Sequence, residues 1–509
     1  MATARLENAK KNIICGFVNK IISLLMPFIA RTLIIKNLGS DYLGLSGLFT
    51  SILTVLNLTE LGFSSAIVFS MYKPIAENNI SEVCALLNYY KTVYRKIGLA
   101  ILGIGIILIP FLPYLINGEC PQDINLTVLY SIYLANIVIS YFLFAYYTSL
   151  ISALQRNDII SNIGSVVNVT LYLLQIVVLI SIKNFYLYTL IIPTMTAFTN
   201  IITYVFAKRL APQYVCKGKI ESNKKKDIHK RVQGLMITKL QMISRNAFDS
   251  IFISAFLGLT MSAIYSNYYY IMTAVAGFIT IFTTSLTAGI GNSVAIESVE
   301  KNYSDMNKFN FVYMWISGWC TVCLLCLYQS FMKIWVGTEL MFSFSVVILF
   351  SVYFYSLKMG DIRSIYMEVN GLWWENKNKA IVEAIANLIL NFFLGKFFGV
   401  YGILFATIIT IVVINFGYGS QIIFRCYFQK MKITEYYLKH LFYVVITVVA
   451  SLTTIYVCVQ IPVDGVIGLF IRGVVCCIIP NIIYLVFYHR TNEFKETIPL
   501  IKRIIWKNR

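Results

Sequence analysis

Apolar runs of about 20 residues, separated by short polar segments, repeat along the whole chain. Six lie near 13–35, 42–71, 97–116, 127–153, 159–182 and 187–207. Six more lie near 233–257, 262–290, 309–335, 341–369, 381–398 and 400–424, and a last pair near 441–460 and 466–488. The runs are continuous and do not alternate, which predicts spanning helices and excludes a β-barrel. The expected fold is all-α: a polytopic membrane protein with about 14 transmembrane helices.

The polar breaks set the expected domains. Residues 1–207 form an N-terminal six-helix lobe and 233–425 a C-terminal one, with additional helices 13 and 14 in 426–489. Between the lobes, Lys208 to Arg231 carries nine basic and two acidic residues, and 208–232 reads as a solvated, basic cytoplasmic linker. The amphipathic stretch from Lys73 to Lys96 reads as an interfacial helix joining the second and third spans. A basic tail, 490–509, is expected on the inner leaflet. Two lobes entering from the same side make a parallel pseudo-two-fold repeat, a plan that often places a substrate site at the repeat interface. The basic start MATARLENAKK lacks a cleavage pattern after it, so the first run is expected to remain a span.

Composition changes the picture little. The chain of 509 residues is 58% hydrophobic and 13% charged, as its spans require. The net charge of +19 would suggest nucleic acid in a soluble protein. Here topology explains it. With both termini cytoplasmic, the inner segments hold about 31 of the 42 Lys and Arg, and the outer loops about four (Lys36, Lys183, Lys333, Lys396). The excess reports orientation and contact with anionic membrane lipids, and no nucleic-acid partner is expected.

Charge inside the spans carries the chemistry. The first run reads VNKIISLLMPFIARTLIIKNLG and the seventh ITKLQMISRNAFDSIFISAFLG. Aligning Leu38-Gly39 with Leu257-Gly258 places Lys20 on Lys239. A charge at the bilayer centre costs roughly 2.5–3.5 kcal/mol on insertion scales, so it normally faces a wet cavity and has a function there. Lys20, Arg31, Lys239 and Arg245 therefore predict a cationic path for an anionic substrate. Snorkelling to the headgroups is the plain alternative for Lys20 and Arg31, and a fixed ion pair with Asp249 is that for Arg245. Glu60 in NLTELGFSSA is a candidate coupling or gating acid, or a structural partner of a nearby base. Asp249 is a second such acid. Lys358, Asp361, Arg363 and Glu368 cluster in the tenth run, where Asp361 and Arg363 are gating candidates; Lys358 and Asp361 are spaced to neutralise each other. Arg472 reads as peripheral.

Cys320, Cys323 and Cys326 recur every third residue. They read as small packing residues, because the histidines (His229, His440, His489) sit apart, in loops or at helix ends, and zinc needs a compact ligand set. No metal site and no cofactor is expected. The aromatics around Tyr141–Tyr147 and Tyr265–Tyr270 read mainly as interface anchors. No P-loop, H-E-x-x-H or G-x-S-x-G occurs and the outer loops are short, so the chain is not expected to be an enzyme.

The stretches LIIKNLGSDYLGLSGLFTSILTVLNLTELGFSSA and NAFDSIFISAFLGLTMSAIYSNYYYI, with the fourteen runs, resemble the multidrug/oligosaccharidyl-lipid/polysaccharide exporter superfamily. The resemblance is to its polysaccharide-export branch, the Wzx-type O-antigen and capsule flippases. It implies two lobes, alternating access, and transfer of an undecaprenyl-diphosphate-linked oligosaccharide to the outer leaflet of a bacterial cytoplasmic (inner) membrane. It also implies H+ or Na+ coupling, and polysaccharide polymerase and glycosyltransferases as partners. The diphosphate is then the handle for Lys20, Arg31, Lys239 and Arg245. The rivals are a cation-coupled multidrug exporter of the same superfamily and a membrane polymerase or glycosyltransferase.

Overall fold

The computed structural model describes residues 22–57, 63–118 and 120–497; the side chains of 230–231, 234–235, 237–244, 246 and 288 lie outside that description. All regular structure among these residues is helical. Each of the fourteen apolar runs is mostly helical where described, with breaks at 143–146 in the fourth and at 359–360 in the tenth. Among the described residues nine helices are long and apolar enough to cross a membrane, or ten when one bent pair is counted as a single span. The protein is a multi-pass membrane protein.

The chain packs as two compact units, 1–263 and 264–509. The first contains α1 (22–37), α2 (Ser40–Leu56), α3 (Phe63–Ala76), α4 (Ile80–Leu108), α5 (Leu126–Phe142), α6 (Tyr147–Ala153), α7 (Asn157–Ser181), α8 (Phe185–Leu210) and α9 (Ser222–Leu257). Helix α4 is continuous from Asn79, whose side chain caps Glu82 N at 3.2 Å, so no separate interfacial helix forms. The reason is an unbroken apolar stripe, Val83, Leu87, Tyr90, Tyr94 and Ile101, all buried, with no proline until Pro110. The basic linker is likewise partly structured. Its second half is the start of α9, Tyr214, Ile220 and Ile228 are buried, and Lys224 pairs with Glu82 at 2.7 Å. Apolar residues spaced among the lysines anchor it to α4.

The two Leu-Gly pairs serve the same structural purpose. Gly39 (φ 121°) ends α1 and Gly258 (φ 89°) ends α9, and a new helix follows each at once. Both lie in the left-handed region that glycine enters without strain. The two corners touch within the first unit: Thr260 Oγ1 donates to Asp41 Oδ1 at 2.6 Å, each two residues past its glycine.

The second unit contains most of α10 (Leu259–Ile296), then α11 (Val299–Val336), α12 (Phe344–Lys358), α13 (Asp361–Val369), α14 (Lys377–Ile409), a π-helical segment (Thr410–Tyr418), α15 (Gly419–Cys426), α16 (Ile433–Val459) and α17 (Gly465–Tyr488). From Lys377 to Cys426 helix is nearly continuous for 50 residues. At about 1.5 Å per residue that is about 75 Å, too long for one crossing of a roughly 30 Å core. The chain instead reverses at Gly399 (φ 58°, ψ −135°), between the two runs that the sequence separates there. The arms meet so closely that a Cβ at Gly402 would lie 1.9 Å from Leu394 O. Gly402→Val is therefore expected to open this hairpin at a cost of several kcal/mol, on the order of the roughly 1–3 or more that overpacking costs elsewhere. The check is a lower unfolding midpoint in detergent, and a midpoint equal to the parent's would contradict the packing.

The aromatics lie inside more than at the lipid interface. Tyr141, Tyr146, Tyr147, Tyr265 and Tyr268 are all buried. The Tyr141 hydroxyl donates to Asn57 and that of Tyr268 to Gln329 at 2.9 Å. Hydroxyls with partners inside the bundle remove the need for headgroups.

Candidate functional site

The predicted charges divide between the units. Lys20 and Glu60 lie outside the described residues, and so does the side chain of Lys239, whose backbone belongs to α9. Arg31 is part-buried on α1, near Tyr188. Arg245 (7% exposed) and Asp249 (fully buried) lie one turn apart on α9, so they share a face. That helix packs on α2 and α3 within the first unit.

Asp361 and Arg363 belong to the second unit and are firmly held. Asp361 accepts from Lys358 Nζ at 2.9 Å and from the Tyr313 hydroxyl at 2.5 Å. Arg363 is 1% exposed. Its Nη1 donates to Asn415 O (2.8 Å) and Phe416 O (3.3 Å), and its Nη2 to Asn415 Oδ1 (3.3 Å) and Ser364 Oγ (3.2 Å). Arg363 thus ties α13 to the π segment, whose carbonyls near Asn415 it satisfies. Arg472 is also more than peripheral: its side chain is 14% exposed and donates to Ser330 Oγ, Cys458 O and Ile461 O, closing the end of α16. His440 is not at a helix end but buried within α16, against Asn310 at 3.1 Å.

Two polar features escaped the reading of charges alone. In the first unit a cavity of about 330 Å³ is lined by Thr50, Thr54 and Asn57 of α2 with Tyr133 and Asn136 of α5. These uncharged hydrogen-bonding groups suit hydroxyl-rich ligands. The signal was available in the sequence: Thr50, Thr54 and Asn57 fall at i, i+4 and i+7 of an apolar run. In the second unit Glu383, Asn387 and Asn391 form a fully buried stripe on α14. Asn391 donates to Asn387 Oδ1 at 3.2 Å, and Asn387 to Thr407 Oγ1 at 3.1 Å across the hairpin. The four-residue spacing was again legible. A buried carboxylate within a span is costly and suits a cation or proton site.

No family model matches the chain, and no curated protein matches it. Solved structures do. A lipid II flippase, MurJ, in an inward closed conformation is 14% identical with a TM-score of 0.68, over 94% of this chain and 98% of that one. An inward-facing multidrug-resistance MATE transporter of the MOP superfamily is 16% identical with a TM-score of 0.60, over 80% and 96%. A MOP superfamily transporter from Pyrococcus furiosus, described by a binding pocket of reverse polarity, is 14% identical with a TM-score of 0.53, over 82% and 96%. The fold of this chain is therefore the one shared by MurJ and the MATE transporters.

Proposed function

We propose that the protein is a secondary transporter that flips an undecaprenyl-diphosphate-linked oligosaccharide, an O-antigen or capsule repeat unit, from the inner to the outer leaflet by alternating access. The observation that carries this reading is Arg245, a cation buried on α9 of a chain whose fold is the one shared by MurJ and the MATE transporters. A guanidinium held out of water has a strong preference for a bidentate, doubly charged oxyanion such as a diphosphate. Lys20, Arg31 and Lys239 extend the same positive character, and the Thr50–Asn57 cavity offers hydroxyl partners for sugar. The lipid tail stays in the bilayer, and the two lobes provide the alternating halves. The protein performs no covalent chemistry in this scheme. It works in the bacterial inner membrane with both termini cytoplasmic, beside the polymerase and glycosyltransferases that use and make its substrate, and binds no nucleic acid.

A second reading, a cation-coupled multidrug exporter, is favoured by the fully buried carboxylates Asp249 on α9 and Glu383 on α14. Complementation separates the two. In a strain lacking its own polysaccharide flippase, the parent chain is expected to restore surface glycan, and Lys20→Ala, Arg31→Ala, Lys239→Ala and Arg245→Ala each to impair it while still reaching the membrane. Losing a charged hydrogen bond to phosphate costs about 1.5–3 kcal/mol, or roughly 10- to 100-fold in transport rate. If all four variants restore glycan as the parent does, the cationic path is wrong. Efflux of organic cations without any glycan export would establish the second reading.

A further inference from the structure

The second unit gathers thiols from three helices that are far apart in sequence. The Sγ atoms of Cys326 on α11, Cys458 on α16 and Cys476 on α17 lie within 4.8 Å of one another. The Cys323 thiol, one turn earlier on α11, sits beside that of Cys476. Cys458 and Cys476 are buried (5% and 0% exposed), and Cys326 is part-buried. We propose that Cys326, Cys458 and Cys476 bind one thiophilic metal ion of the zinc class, with Cys323 or water as a fourth ligand, and that this ion staples α11, α16 and α17 together.

Geometry comes first. Zinc–thiolate bonds of about 2.3 Å place tetrahedral sulfurs about 3.8 Å apart, so the thiols close on an ion by about 1 Å. The backbone around the cluster is already fixed: Trp319 Nε1 donates to Cys476 O at 2.8 Å and Arg472 Nε to Cys458 O at 3.4 Å, which joins α11 to α17 and α17 to α16. A disulfide would join two of the three sulfurs and leave the third idle, whereas a metal uses all three.

Charge comes second. Three thiols binding a divalent ion release three protons to solvent and leave a net charge of −1 on the complex. Arg472 lies one turn before Cys476 on α17, and its guanidinium reaches the Cys458 carbonyl. Arg472 also lies 3.8 Å from Asp464, which Lys333 pairs at 2.9 Å, so these three groups together leave one positive charge near the site; with water as the fourth ligand this offsets the complex, which matters where burial penalises uncompensated charge. A cavity of about 370 Å³ lined by Gln329, Ser330, Lys333, Asp464 and Arg472 lies nearby; Gln329 and Arg472 stand one turn along their helices from Cys326 and Cys476, and the thiols themselves do not line it. Packing alone explains small apolar side chains at these positions, but not three thiols from three helices within 4.8 Å of one another.

The test uses the full chain in detergent, stripped with a chelator under reductant, dialysed, and titrated with Cd2+, then with Zn2+ and Cu+ in competition. One equivalent of Cd2+ is expected to produce a thiolate-to-cadmium charge-transfer band, and Zn2+ to remove it. Arg472→Gln should weaken binding about 10- to 100-fold, as losing an outer partner of a metal site does, and Cys458→Ala or Cys476→Ala by more than that. Cys84→Ala and Cys426→Ala should leave it unchanged. Absence of the band, or its survival in the Cys326→Ala/Cys458→Ala/Cys476→Ala protein, overturns the site. Displacement by Cu+ but not Zn2+ overturns the zinc-class assignment. Because these variants risk misfolding, alkylation of the parent chain gives an independent measure. At a Zn2+ concentration of about ten times Kd, labelling of Cys326, Cys458 and Cys476 should slow about tenfold, with Cys84 unaffected. Equal labelling with and without Zn2+ overturns the site whatever the variants do.

Discussion

Arg363→Ala is expected to lower the stability of the second unit by about 3–5 kcal/mol, the range seen when one member of a buried charged network is removed. The substitution deletes five hydrogen bonds from a charged donor, to Asn415 O, Phe416 O, Asn415 Oδ1, Ser364 Oγ and, at 3.5 Å, Ser420 Oγ. It leaves two backbone carbonyls of the π segment without that donor inside the bundle, and each unsatisfied buried group costs about 1–3 kcal/mol. Glycine shapes the slot: a Cβ at Gly419 would lie 2.2 Å from Arg363 Nη1. Gly419→Ala should therefore reproduce part of the loss by pushing the guanidinium off its acceptors. Arg363→Lys keeps the charge but not the planar fork, so its loss should fall between the parent and Arg363→Ala. Thermal unfolding in detergent measures all three. An Arg363→Ala midpoint equal to the parent's would show that the clamp contributes nothing.

That prediction also shows where sequence reading reaches its limit. The spans were legible because about 20 consecutive apolar residues have no other stable home. The reversal at Gly399 was legible because the apolar pattern breaks there, and the backbone confirms it with a positive φ. The Lys358–Asp361 pair follows from a three-residue spacing on a helix. Which face of a helix meets which neighbour does not follow from spacing. Arg363 looked like a gating charge, yet its acceptors lie some fifty residues away, on a segment whose π geometry no propensity announces. Cys326 showed only its own helical repeat, while its partners are supplied by α16 and α17. Arg472 looked peripheral because its acceptors, Ser330 and the end of α16, are remote or irregular in sequence. Tyrosines pattern alike at a lipid interface and in a helix–helix contact, so Tyr268 gave no sign that Gln329 would receive its hydroxyl.

Asp249→Asn is expected to slow glycan transport and to flatten its response to an imposed proton or sodium gradient, with Glu60→Gln acting in the same direction. Asp249 is fully buried on α9, one turn from Arg245. A carboxylate buried there needs a cation or a basic side chain beside it, or a proton on it. In the flippase proposed above, exchange of that compensation during the cycle would couple a gradient to substrate movement, and an amide could not take part. The alternative is a purely structural pairing with Arg245, and stability distinguishes the two. In a structural pair, Arg245→Ala or Asp249→Asn alone destabilises by about 3–5 kcal/mol, and the double variant recovers most of that loss and regains transport. In a coupling pair, the double variant folds as well as the parent but transports nothing, because the anion site and the coupling group are both gone. Reconstituted vesicles with and without a gradient, read beside unfolding midpoints, give both numbers on one preparation. Parent-like gradient dependence in Asp249→Asn and Glu60→Gln would remove both acids from the mechanism. Glu383→Gln then becomes the next test, since it is the fully buried carboxylate of the second unit and lies on a stripe of amides able to hold a small cation.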